Sequence, residues 1–296
     1  MATRADAGVR RLAKVWHSTC AALLPPDQIP PPDQTSPGGQ TSPGGRAQPG
    51  TPRDPRWSRH HLAHTMVLLT DTLQTVACPT TSRPMGLSEA LEHRDRATEA
   101  LAAISERVIT TETAADLARQ ARGLLLALED RLAATGLPAQ VEAVSGPIRL
   151  TDHLRCGLLE ATTMLLRDRC ATPGAGGTRV PDQALVESSR TVAAVLSQRH
   201  GGRTVEVRVP PACAVQLEAF GAGPSHHRGT PPNVVETDTS TFVSLATGVS
   251  TWQRARDRGL LRASGAHAEA VGEMLPVVDL AASLAVLVPL TGESTT

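Results

Sequence analysis

Residues 182–209 read DQALVESSRTVAAVLSQRHGGRTVEVRV, and a change of period inside this stretch decides the fold. Up to Arg199 the apolar residues recur at helical spacing, with Pro181 at the start and Gly201–Gly202 at the end. Thr204–Val209 then alternates with period two, the pattern of a half-buried strand. Val205, Val207 and Val209 share one face of that strand, and Glu206 and Arg208 form an outward polar face. Helical periods hold upstream of this point, and strands mixed with short helices follow it. The chain therefore reads as multidomain, α and then α+β: a helical part over residues 1–200, an α+β part over 201–276 and a tail over 277–296.

Upstream, helical spacing covers residues 5–24, 56–77, 87–108, 113–134 and 151–169. The fourth of these opens on a Thr113-x-x-Asp116 cap and stops at Gly136. Helices of this length with short connections predict an antiparallel bundle. Residues 25–55 interrupt it with Pro, Gly, Gln, Ser and Thr, including QTSPGG twice, at 34–39 and 40–45. So little apolar surface does not offset the entropy of ordering, and the segment is expected to be a disordered insertion. Gly174–Gly177 follows no strand and is a loop, not a phosphate cradle. Downstream, strands are expected at 213–219, 233–237 and 260–263, and helices at 240–247, 250–257 and 266–275. The tail is apolar to Leu290 and is expected to dock as a helix or strand.

Composition narrows the function. The chain has 296 residues, with 29 Lys+Arg against 29 Asp+Glu, so it lacks the basic excess that nucleic-acid binding calls for. Lys14 is the only lysine, tyrosine is absent and phenylalanine occurs twice, as expected from a GC-rich genome. Any cavity must then be lined by aliphatic side chains. The longest charge-free apolar run, Leu280–Leu290, has 11 residues where a spanning helix needs about 20, so no stable membrane insertion is expected. Five widely spaced cysteines without a C-x-x-C pair, and no convincing cleavage site near the amino terminus, suggest a reduced, cytoplasmic protein.

Three blocks in the C-terminal half carry a resemblance: RTVEVRVPPACAVQ (203–216), HRGTPPNVVETD (227–238) and LATG (245–248), followed by Trp252, Gly259–Leu261 and RASG (262–265). Residues 203–276 resemble the bacterial sterol-carrier family of actinobacteria. That resemblance implies a small sterol-carrier-protein-like α+β domain, with a curved sheet covered by helices around an apolar tunnel. More weakly, WSRHHLAH (57–64) and GPIRLTDHLRCGLLEATTM (146–164) resemble the DinB-like metal-binding bundle of mycothiol-dependent maleylpyruvate isomerases.

The bundle resemblance implies a divalent metal held by one histidine from the first motif and a Glu-x-x-x-His pair from the second. His64 matches the first ligand, with His61 as the alternate, and Glu160 matches the second; the third position holds Met164, whose thioether is a poor zinc ligand. His153, two turns before Glu160, or Cys156 between them, offers a replacement. The alternative is a bundle that keeps its fold without the metal. In the C-terminal half, His227 and Arg228 could hold an anionic head group, with Val205, Val207, Val209 and Phe242 lining apolar ligand space. Equally, Arg228 could tie its own loop to Glu236 or Asp238, and the valines could be plain core. No G-x-S-x-G elbow occurs.

The expectation is a non-catalytic, cytosolic sterol-carrier-family protein whose partner is a small lipid-like or apolar ligand bound in the C-terminal domain. One alternative is an enzyme, an isomerase or transferase that uses mycothiol with zinc or another divalent metal. The other is a scaffold with vestigial pockets.

Overall fold

A computed structural model describes residues 4–25, 59–171, 179–219 and 233–287. The QTSPGG repeats, the Gly174–Gly177 segment and the His227–Arg228 pair lie outside the described residues.

The N-terminal part is helical: α1 Arg4–Ala22, α2 Arg59–Val76, α3 Leu87–Arg96, α4 Thr98–Thr111, α5 Ala114–Ala133 and α6 Leu150–Ala171. Thr113 caps α5 as the sequence predicts, accepting a hydrogen bond from the Asp116 backbone N–H at 3.2 Å. Two features differ from the sequence reading. The single helix expected over 87–108 is broken at Ala97, whose ψ of −1° leaves the α-helical range. No Gly or Pro marks that break. The residues before α6 form an antiparallel hairpin, β1 Gln140–Ala143 and β2 Gly146–Arg149. Gly146, at φ 113°, supplies the turn conformation that a side chain would oppose.

Helix α1 packs on α6 and α5, while α2 packs on α5, α4 and α6. Helix α1 comes close to α6 at Gly157, where a Cβ would lie 2.8 Å from Nε1 of the fully buried Trp16.

Helix α7, Asp182–His200, joins the two parts, packing on α6 and on the sheet. It meets α6 through polar groups: Ser188 Oγ donates to Thr162 Oγ1 at 3.1 Å, and Thr162 donates to the Leu158 carbonyl at 2.7 Å. The sheet has the order β4-β3-β5-β6, with β3 Gly201–Val209, β4 Cys213–Leu217, β5 Asn233–Thr237 and β6 Leu261–Ser264. The β3/β4 and β5/β6 pairs are antiparallel, and the central β3/β5 pair is parallel. Val205, Val207 and Val209 are buried, while Arg208 pairs with Glu206 on the other face, as the alternation predicts. Asn233 opens β5, donating to the Thr204 carbonyl and accepting from the His267 N–H, both at 2.9 Å.

Helices α8 Thr239–Ala246 and α9 Trp252–Asp257 and a 3₁₀ helix, Ala268–Met274, complete this part. The tail docks as α10, Leu280–Leu287, against α4 and α6, with Ser283 Oγ donating to Asp95 at 2.5 Å. Arg199 on α7 fastens the join: it donates to Ser88 Oγ at 2.8 Å, Glu92 at 2.8 Å and the Val277 carbonyl at 2.7 Å. One apolar core runs through both parts, from Trp16 and Leu154 to Val207 and Phe242. Among the described residues no helix is long and apolar enough to cross a membrane.

Gly157→Val should lower stability by about 1–3 kcal/mol through overpacking against Trp16. Chemical denaturation followed by circular dichroism checks this; an unchanged midpoint would contradict the close contact of α1 with α6.

Candidate functional site

Three helices bring polar side chains together inside the bundle. On α2, His64 and Asp71 stand seven residues apart, two turns along one face. On α6, His153, Cys156 and Glu160 share a face by the same rule. Arg94 comes from the last turn of α3, just before the break at Ala97. These six side chains form the floor of a cleft of about 710 Å³. Its walls are mostly aliphatic, with Leu101, Ile104 and Val108 from α4 and Val144 and Ile148 from the hairpin, and they also carry Thr70, Gln74, His93, Arg96 and Ser145. Val144, 94% exposed, and Ile104, 47% exposed, stand at its rim.

Glu160 is the centre of the floor. His64 Nε2 donates to its Oε1 at 2.7 Å, and Arg94 Nε donates to its Oε2. Burial alone would push this carboxyl up, but the Arg94 charge and the His64 hydrogen bond outweigh it and hold the pKa at about 2. In return the two carboxylates raise the Arg94 pKa further, so its positive charge is permanent. Arg94 Nη1 also reaches Asp71 Oδ2 at a long 3.4 Å. His153 Nε2 lies 3.8 Å from the same oxygen and makes no hydrogen bond. Burial pulls His153 down to about 4, which leaves it neutral at pH 7. Burial pushes the Cys156 thiol up to about 12, so it supplies no thiolate.

The structure thus brings His64 and Glu160 together but does not complete the expected metal set. His64 turns its N–H, not a lone pair, toward Glu160, and its Nδ1 is buried without a hydrogen bond. A guanidinium already binds the carboxylate that a metal would use. Among the described residues no group of three or more His, Cys, Asp and Glu side chains is arranged to hold a metal ion. The residues present do not fit the metal that the bundle resemblance implies. His61 is committed elsewhere, donating to the Leu23 carbonyl at 3.0 Å, and Met164 is buried in the core away from the cleft lining.

In the C-terminal part the valines sit as the plain-core alternative has them. Val205, Val207, Val209 and Phe242 are all packed into the common core. Two further clefts, one beside α7, β3 and β4 and one around Trp252, are not lined by any of them. The two floor residues missed by the sequence reading are Arg94 and Asp71. Asp71 was detectable, seven residues after His64 on one helical face. Arg94 was not, because the run Glu92–Arg96 gives no sign of which charge turns inward.

Residues 181–277 match a family model described as "Bacterial SCP ortholog". The match bears out the sterol-carrier resemblance read from residues 203–276, and it takes in α7, the helix that covers the β3 valines. Among solved structures, the chain is similar to the mycothiol-dependent maleylpyruvate isomerase, at 13% identity and a TM-score of 0.38, covering 83% of this chain and 88% of that one. A histidine-to-alanine mutant of that enzyme aligns with 14% identity and a TM-score of 0.39 over the same shares of the two chains. No curated protein matches the chain.

Arg94→Met should destabilise the fold by about 3–5 kcal/mol, because it leaves a buried carboxylate without its cation. Arg94→Met/Glu160→Gln should recover part of that loss; denaturant titration of both variants checks this, and no recovery would contradict the pairing. Stability should also fall in acid. Glu160, held at about 2, contributes stability that is complete above the ordinary carboxylate range and is lost as pH falls through 2. His153, held at about 4, acts in the same direction between its ordinary 6.5 and that value. The Glu160→Gln variant should therefore show a flatter stability profile between pH 5 and pH 2, roughly the window that the Glu160 shift defines.

Proposed function

We propose that the chain is a non-catalytic binding protein that holds a small, largely apolar molecule in the bundle cleft, with a polar end at Arg94 and Asp71. The observation that supports this reading is the union of mostly aliphatic walls with a buried polar floor in one cleft of about 710 Å³. Pockets for small molecules commonly have this make-up, mostly apolar with a few convergent polar groups that set orientation. Each 100 Å² of apolar ligand surface removed from water contributes about 2.5 kcal/mol before the costs of ordering. The ligand class is the one expected from the sequence, while its proposed place moves from the C-terminal sheet to the bundle. In this reading the part matched by the family model packs on the bundle through α7, and the tail beyond it adds α10. Five cysteines without a disulfide support a reducing compartment, the cytoplasm.

The enzymatic alternative, a mycothiol-using isomerase or transferase, calls for a metal cation on Glu160. Arg94 already supplies the charge at that carboxylate, and burial disfavours a thiolate at Cys156.

Nile red, an uncharged dye whose emission shifts on entering an apolar site, tests the proposal. The full chain should bind it saturably. Ala100→Trp, which fills the cleft from α4, should weaken binding by at least about tenfold, equivalent to 1.4 kcal/mol, with the circular dichroism spectrum unchanged. Binding that is non-saturable, or indifferent to Ala100→Trp, would overturn it.

A further inference from the structure

We infer that the cleft selects its ligand by head group, preferring an uncharged hydroxyl over a carboxylate or an ammonium on the same aliphatic body. This rests on the cleft being a binding site. The floor divides into a hidden layer and an open one. Glu160, His153 and His64 have side chains only 5%, 4% and 1% exposed, whereas Asp71 and Arg94 are 20% and 15% exposed. Within the floor, the open pair is therefore Asp71 and Arg94, an acceptor beside a donor; His93 and Arg96 line the cleft outside the floor, with Arg96 Nε turned to the Glu92 carbonyl at 3.3 Å.

Asp71 and Arg94 hold each other loosely. Arg94 commits Nε to Glu160, and its Nη1 contact to Asp71, at 3.4 Å, is longer than an ordinary N–H···O bond of about 2.9–3.0 Å. A hydroxyl suits both at once, donating to Asp71 and accepting from Arg94. A carboxylate would gain Arg94 but face two carboxylates, Asp71 and Glu160, across one guanidinium. An ammonium would gain Asp71 but lie against the fixed charge of Arg94. In a partly buried site either mismatch is costly, because like charges there are poorly screened.

His153 independently suggests that the protein alone does not complete this floor. Its Nε2 lines the cleft region buried, without a hydrogen bond and 3.8 Å from Asp71. Buried polar atoms are rarely left in this state, and a ligand group beside Asp71 is a natural partner. The walls decide the body of the ligand: Ala100, Leu101, Ile104, Val108 and Ile148 offer aliphatic surface and no aromatic ring for stacking.

Displacement of Nile red from the full chain at pH 7 by 1-octanol, octanoate and octylamine tests the inference. Octanol should displace the dye at concentrations at least about tenfold below either charged analogue. Asp71→Asn removes one of the two facing carboxylates and should narrow the gap between octanol and octanoate. Octanoate or octylamine matching or surpassing octanol would overturn the selectivity, as would an Asp71→Asn variant with the ranking and gaps unchanged. A wild-type chain that binds no Nile red would instead overturn the binding reading itself. The two failures are thus distinguishable.

Discussion

Glu160 is a carboxylate in the middle of a helical bundle, and the arrangement around it follows from the cost of putting it there. A buried, unpaired charge is costly, so the fold must place a cation and a hydrogen-bond donor against it. Arg94 and His64 do so from two other helices, α3 and α2. The pairing draws in the end of α3, and the helix breaks at the next turn, at Ala97, although the local sequence contains no helix breaker. Helix α4 follows that break, and the cleft lies between α4, the hairpin and the polar floor. The buried charge and its partners form the floor of that cleft.

The C-terminal part stabilises this arrangement from the opposite side. Helix α7 covers the β3 valines with one face and meets α6 through Ser188 and Thr162 with another. The tail returns along the bundle as α10, where Ser283 meets Asp95, one residue beyond Arg94. Arg199 ties α3, α7 and the start of the tail into one contact set. A charge in the bundle and a sheet distant in sequence are therefore parts of one packed unit, with a core that runs through both.

Much of the fold was legible because it depends on local rules. The Thr113 cap, the Gly201–Gly202 stop, the β3 alternation and the Asn233 strand start all state their role within a few residues. The β1–β2 hairpin was missed because four-residue strands carry too short a pattern to separate from loop. Part of the site was in view: the bundle resemblance named His64 and Glu160 as ligands of one metal, and the structure pairs them directly at 2.7 Å. Its chemistry was not, since Arg94 reaches Glu160 across 66 residues and nothing local distinguishes it from Arg96. For Val205, Val207, Val209 and Phe242, alternation and apolarity indicated the buried face. Whether that face meets a ligand or a helix depends on α7 and α8, and therefore on tertiary packing.

The central claim is that Arg94 occupies the place of a metal at Glu160. Its most direct test is a native mass spectrum of the full chain after incubation with excess zinc and desalting. The account predicts a polypeptide that retains no zinc at this site, so that the wild type and Glu160→Gln carry the same metal content. One zinc retained by the wild type and lost in folded Glu160→Gln would contradict it.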